Sequence, residues 1–341
     1  MKKIIIAFWL ISAVAFAQKE YKDEHMVSAD KITRVYVDCD MGYIYLEPSA
    51  DNNITVRSRK TVFSDDEKYA DELTKSCKIE FKDDKDVLRV LVEFPDWKKS
   101  KLFGGIGKGD LGKELEVILK ISLPANVNVD IETSSANVKV SELKNNYLTV
   151  KGSSSDISIE NSIGTASLEL SSGDVSIIRY DGSIDIDCSS SDIDINDTRG
   201  NVKISSSSGD GILEKITGDI RIYALEGSII HSSSSGNLTI DGTTGAIDTR
   251  TASGTIKLRH LENNEGRFFA SSTSGDVQFD LPANFGGNLE LESTSGDIDF
   301  NAEVLLDSFR KSSENYISGT IGKGRGDIAI ETVSGNIIVG N

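Results

Sequence analysis

Apolar residues alternate with polar ones in short runs through most of the chain, and each run is opened by a small, polar corner. From about residue 134 one phrase recurs: Ser134-Ser135-Ala136-Asn137-Val138-Lys139-Val140, Ser171-Ser172-Gly173-Asp174-Val175-Ser176-Ile177, Thr294-Ser295-Gly296-Asp297-Ile298-Asp299-Phe300 and Val333-Ser334-Gly335-Asn336-Ile337-Ile338-Val339. The corner residue returns at Ser155, Gly173, Ser191 and Gly209, a spacing of 18. Weaker copies such as Gly182-Ser183-Ile184-Asp185-Ile186 fall between, so the elementary unit is 9 residues. Gly followed by Asp, Asn or Ser supplies the permissive backbone and side-chain hydrogen bonds of a tight turn. Alternation then makes a half-buried strand of roughly five residues. A fixed short period of this kind predicts a solenoid or an array.

Copies 18 apart superpose Ala166, Ile184, Val202 and Ile220 in one column and Leu168, Ile186, Ile204 and Ile222 in the next. Parallel strands one coil apart bury such in-line columns, so the expectation is an all-β, parallel β-solenoid with about 18 residues per coil. An antiparallel sandwich ranks second, because its neighbouring strands need not repeat their residues in register. A membrane barrel needs longer strands and aromatic girdles, which the repeats lack. The four prolines, Pro48, Pro95, Pro124 and Pro282, all avoid residues 125–281, where a ladder would use each backbone N–H. The serine-rich corner shifts phase between Gly209 and Gly236, a gap of 27, which predicts a move to the opposite edge of a two-sided coil. The longer spacings after Gly254 and Gly275, and the irregular stretch from Asn301 to Gly326, read as loops thrown out from the stack. About 11 coils at a rise of about 4.8 Å predict a rod roughly 50 Å long.

Before the repeat the pattern changes. Residues 1–17 read as a secretory signal, with Lys2 and Lys3, an apolar stretch from Ile4 to Ile11, and Ala15-Phe16-Ala17 before Gln18. Residues 18–124 carry strand-like runs and one helical candidate from Ser64 to Ser76, opened by Ser64 with Glu67 three residues on. This part is expected to supply irregular early coils and a cap, since an open stack must cover its first edge. Residues 125–341 form the repeat solenoid.

Charge narrows the partners. The chain has 341 residues, with 37 Lys and Arg against 54 Asp and Glu, a net charge of −17. Residues 18–124 are close to balance at −3, and residues 125–341 carry −16. Such an excess repels phosphate backbones, which argues against nucleic-acid binding. After the leader no stretch is apolar for long enough to span a membrane as a helix. Three cysteines exclude a disulfide scaffold. Export would let Cys39 and Cys77 pair and leave Cys188 over; its place after Ile184 and Ile186 points it into the core. The scattered His25, His231 and His260 offer no metal-ligand spacing, and no cofactor motif stands out.

The order of these parts carries a resemblance. Val117-Ile118-Leu119-Lys120-Ile121-Ser122-Leu123-Pro124 leads into Val129-Asp130-Ile131-Glu132-Thr133-Ser134-Ser135-Ala136-Asn137-Val138-Lys139-Val140, and many Ser-Gly-Asp-Ile/Val phrases follow. This resembles the bacterial "putative adhesin" family of exported proteins and is similar to the head domain of autotransporter adhesins. The resemblance implies a right-handed β-helix and a cell-envelope or extracellular setting. It brings no catalytic residues.

Candidate chemistry is sparse. Asp156, Asp174, Asp192 and Asp210 would stack about 5 Å apart, close enough for a bound cation to relieve their repulsion. The preferred reading is that each caps its own corner. Acidic residues along a β-helix also suit a polysaccharide lyase or hydrolase, but here they repeat instead of forming one exceptional pair. Gly107-Lys108-Gly109-Asp110-Leu111-Gly112 matches a dinucleotide fingerprint only formally, because a strand follows where a helix is required. The loop Trp97-Lys98-Lys99-Ser100-Lys101-Leu102-Phe103 concentrates cations and aromatics, which makes Trp97, Lys98, Lys99, Lys101 and Phe103 the ligand-binding candidates. The expected function is a non-enzymatic, exported envelope or surface protein presenting an acidic, repetitive face to a glycan or protein. A carbohydrate-active enzyme and a periplasmic structural or signalling partner are the alternatives.

Overall fold

The computed structural model describes residues 18–95, 114–125, 127–223, 227–242, 245–259, 261, 266–282, 285–302 and 306–340. It is an all-β, solenoid-like protein in which the strands join one continuous sheet folded around a single apolar core. Parallel pairing sets Ala166 beside Ile184, Ile184 beside Val202 and Val202 beside Ile220, each 18 positions on. The column continues through Leu238, Ile256 and Val277. A second ribbon, on the other side of the core, aligns Ile157, Val175, Ile193, Gly211, Ile229, Ile247 and Phe268. Each rung therefore gives one short strand to each ribbon, and its inward residues pack across the core.

Corners join the ribbons at two edges. On one, Gly173 would set a Cβ 2.3 Å from the Ser155 carbonyl oxygen, Gly209 one 2.0 Å from that of Ser191, and Gly227 one 1.8 Å from that of Gly209. On the other, Gly182, Gly200, Gly218 and Gly236 follow Gly164 in the same way. Gly209 and Gly236 thus lie on opposite edges, which accounts for the shifted serine phase.

The N-terminal strands belong to the same sheet, in an order the repeat does not reveal. They are β1 (Gln18–Ser28), β2 (Arg34–Cys39), β3 (Met41–Pro48), β4 (Asn53–Phe63), β5 (Lys78–Asp84), β6 (Val87–Glu93), β7 (Leu115–Leu123), β8 (Asn128–Thr133) and β9 (Ser135–Ser141). β2 pairs in parallel with both β6 and β8, and β3 with both β7 and β9, so the first rung in the chain is the second in the stack. Antiparallel strands close this end: β4 on β7, β1 on β4 and β5 on β6. The helix α1 (Glu67–Ser76) starts two residues later than the Ser64 signal indicates. Asp66 is its cap, accepting the Tyr69 amide at 3.1 Å, while Ser64 Oγ accepts the Asp66 amide. Asp66 wins because its carboxylate reaches the third amide of the helix directly.

At the far end, residues 301–326 are only partly the loop expected. Leu306–Ser313 and Tyr316–Ile321 form an antiparallel hairpin laid along Gly287–Ser293, which covers part of the last edge.

Candidate functional site

The sequence candidates fall in different places. Trp97, Lys98, Lys99, Lys101 and Phe103 lie outside the described residues. The aspartate column is present but is used differently from the corner-capping expectation. Asp156 Oδ1 accepts the Asp174 amide at 3.1 Å, Asp192 Oδ1 the Asp210 amide at 2.9 Å, and Asp210 Oδ1 the Ser228 amide at 2.7 Å. These three side chains thus cap the next rung, not their own, because the stacking brings that amide within reach. Among the described residues no group of three or more His, Cys, Asp and Glu is placed to hold a metal ion.

Cys39 and Cys77 are free thiols, so the pairing that export would allow is not made here. Cys39 Sγ donates to the Met41 carbonyl at 3.3 Å. Burial pushes the Cys39 thiol up to about 12 and the Cys77 thiol up to about 11, which makes both poor nucleophiles. Cys188 is buried in the core, as its place after two inward isoleucines indicates.

A more substantial concavity lies where the N-terminal antiparallel strands extend the solenoid. It is an open groove of about 890 Å³ on the outer face of β1, β4, β7, β3 and β9. Pairing across these strands sets Glu24, Arg57, Lys120, Tyr45 and Lys139 in one row. The adjacent row holds Lys22, Arg59, Ile118, Tyr43 and Asn137. Tyr43 and Tyr45, two apart on β3, share the outer side of the pleat and stack with centroids 6.4 Å apart and planes 18° from parallel. Tyr43 is 39% exposed.

The cations around the tyrosines are held in ion pairs, Lys22 and Arg59 sharing one carboxylate. Arg57 Nε meets Glu24 Oε2 at 3.1 Å, Lys22 Nζ meets Glu20 Oε2 at 2.8 Å, and Arg59 reaches Glu20 at 3.5 Å. Lys120 Nζ donates to Glu47 Oε2 at 2.8 Å, and Ser122 Oγ to Glu47 Oε1 at 2.8 Å. Burial alone would raise the Glu47 carboxyl, but the Lys120 and Ser122 hydrogen bonds outweigh it and hold it below its ordinary value. The hydrogen bond from Lys22 lowers Glu20 likewise. Both carboxylates are therefore anions at neutral pH, suited to accept hydrogen bonds and unsuited to protonate a leaving group. The groove offers the face of Tyr45, with Tyr43 stacked beside it outside the lining, framed by fixed donors and acceptors. Sequence reasoning missed it because its residues come from five strands that pair only after folding; the Tyr43-Ile44-Tyr45 alternation was its one local sign.

A second, polar groove of about 490 Å³ runs along Glu132, Lys151, Glu169 and Asp187 on the other ribbon. Nearby, burial and the charges of Asp40 and Glu132 raise the Asp38 carboxyl, and Glu132 accepts the Tyr36 hydroxyl at 2.7 Å. Asp38 does not line that groove.

Comparison with known proteins adds a family. The sequence profile of the family described as Toastrack DUF4097 matches residues 47–215 and again residues 213–340. No curated protein matches the chain at a significant level. Among solved structures, a "putative adhesin" from Parabacteroides distasonis is 12% identical, with 94% of this chain and 97% of that one covered and a TM-score of 0.30. A "putative cell adhesion protein" from Clostridium sporogenes is 10% identical, with 94% and 99% covered and a TM-score of 0.23. A "putative adhesin" from Bacteroides fragilis is 13% identical, with 94% and 97% covered and a TM-score of 0.23.

Proposed function

The chain belongs to the Toastrack DUF4097 family, and on that premise we propose that it is an exported, non-enzymatic envelope or surface protein that binds a neutral glycan in the outer groove. The scaffold in this reading is a right-handed parallel β-helix of about 18 residues per coil, supported by the register of Ala166, Ile184, Val202 and Ile220. Residues 1–17 direct export.

One observation carries the ligand assignment: Tyr45 lines the groove with Tyr43 stacked against it, among cations that are each paired with a carboxylate. A phenol face packs against the apolar face of a sugar ring, and each Arg–Glu or Lys–Glu pair presents a donor beside an acceptor, as vicinal hydroxyls require. Cations already held in ion pairs give only weak attraction for a polyanion. A hydrolase at this site would need a carboxyl that is protonated at working pH, whereas Glu47, which lines the groove, is held as an anion.

A glycan array probed with the exported chain and with a Tyr43→Ala/Tyr45→Ala variant tests the reading. Binding to neutral oligosaccharides should fall at least tenfold in the variant, with an unchanged thermal melt and little dependence on salt. Equal binding by both proteins would remove the groove as the site, and release of new reducing ends would replace adhesion with hydrolysis. Protease treatment of intact cells then separates a surface location, where the protein is cut, from a periplasmic one, where it is cut only after the outer membrane is opened.

A further inference from the structure

The last rung of the chain does not take its place in the stack by chain order. Val277 pairs with Ile337 and Ile337 with Ile298, while Phe268 pairs with Ile328 and Ile328 with Leu289. Residues 326–340 therefore stand between 267–280 and 287–300. The chain-ordered rungs nevertheless share one step. Ile247 and Phe268, which pair, are 21 residues apart, as are Ile256 and Val277. Phe268 and Leu289, Val277 and Ile298, and Gly275 and Gly296 do not pair, yet they too are 21 apart.

Withdrawing residues 326–340 would therefore let 287–300 close onto 267–280 with every inward residue meeting an inward residue. A one-residue slip would ruin such a match, so agreement at each position is the requirement for a second stacking mode. The corner ladder agrees as well. Asp276 Oδ1 now accepts the Asn336 amide at 2.8 Å, and Asn336 Oδ1 accepts the Asp297 amide at 3.0 Å. In the closed mode Asp276 would accept the Asp297 amide directly, an Asp-to-Asp step like that from Asp156 to Asp174.

The connection into this rung suits movement. After the hairpin strand Tyr316–Ile321, which lies along one side of Gly287–Ser293, the chain crosses the end of that strand to reach its other side. Gly322 sits at φ +55°, and a Cβ on Gly324 would lie 2.0 Å from the Gly286 carbonyl oxygen. Two backbones cross here with glycines on both, which permits the crossing and leaves a pliable hinge.

We propose that residues 326–340 are an exchangeable rung and that the partner accepting it is a second copy of this chain. Ile328, Ile330, Ile337 and Val339 are each 1% exposed or less, so a withdrawn rung left in water would bare all four. The matching gap of another copy offers the same two ladders and the same columns. In a reciprocal exchange each pairing is re-formed, and only the path of residues 322–325 changes.

The test uses full-length chains. Arg267 and Asp327 are cross-strand neighbours and both are exposed, whereas the native cysteines are buried. Arg267→Cys and Asp327→Cys variants are mixed, incubated at high concentration and treated with a short bismaleimide. The expected product is a covalent dimer containing one chain of each kind, growing with co-incubation. It should be absent when a double variant is first cross-linked within itself. A mixture that stays monomeric while the double variant closes internally overturns exchange. Dimers formed equally by either single variant alone also overturn it, since they report end-to-end contact. A double variant that fails to close internally would sink the rung order on which the proposal stands.

Discussion

A single side-chain oxygen recurs at the corner of successive rungs, and its chemistry is that of a carbonyl, not of a charge. Asn137, Asn201, Asn237 and Asn336 accept the next rung's amide just as Asp156, Asp192 and Asp219 do. Asp192→Asn should then leave stability unchanged or slightly raised, since it keeps the acceptor and removes a repelling anion, whereas Asp192→Ala should cost about 1 kcal/mol in urea denaturation. His231 is the opposite case, a titratable group shut inside the stack. Its Nδ1 lies 2.7 Å from Thr249 Oγ1, its Nε2 has no partner among the described residues, and burial lowers its pKa to about 4. The unfolded chain takes up this proton near 6.5, before the folded chain does. The stabilisation is thus complete above pH 6.5 and is lost as pH falls towards 4, by about 3 kcal/mol in all. His231→Leu combined with Thr249→Val should flatten the melting temperature between pH 7 and pH 5; an undiminished acid loss in that variant would assign it to other groups.

At the scale of the strand and its corners, backbone geometry decides what can be substituted. Gly182 has φ +144°, and an added Cβ would sit 1.7 Å from the Gly164 carbonyl oxygen. Gly182→Ala should therefore cost about 3 kcal/mol, while Gly340→Ala, with nothing within 4 Å of its added Cβ, should change stability by less than about 0.5 kcal/mol. Glycine corners and alternating strands were legible because a residue type marks them at a fixed period. Another corner was not: Asn161, Arg179, Asp197 and Lys215 all adopt φ between 52° and 55°, and they share no residue type. The cap of α1 was missed by two residues because Ser64 and Asp66 both lie before the helix and only geometry chooses between them. The groove was illegible for a different reason, since Arg57, Lys120 and Tyr45 meet through antiparallel and parallel pairings that no local period encodes.

The stack of described strands is finished in the same way at both ends. β7 lies between the consecutive strands β3 and β4, and Gly287–Ser293 lies between the consecutive strands Tyr316–Ile321 and Gly326–Thr332. Antiparallel strands then cover part of each terminal edge, which limits indefinite growth by edge pairing. Between the ends, the excess of 16 negative charges over residues 125–341 is spread along the stack, with ladder carboxylates about one strand spacing apart. Self-repulsion of this kind is weakened by salt, whose screening length falls from about 10 Å at 0.1 M to a few ångströms near 1 M. The melting temperature should therefore rise with sodium chloride. Calcium chloride at equal ionic strength should raise it by the same amount, because one oxygen of each capping carboxylate is already engaged by a backbone amide and asparagine replaces aspartate at several rungs. Differential scanning fluorimetry over both salts checks this, and an added rise specific to calcium, reversed by chelator, would restore the cation-binding reading of the column.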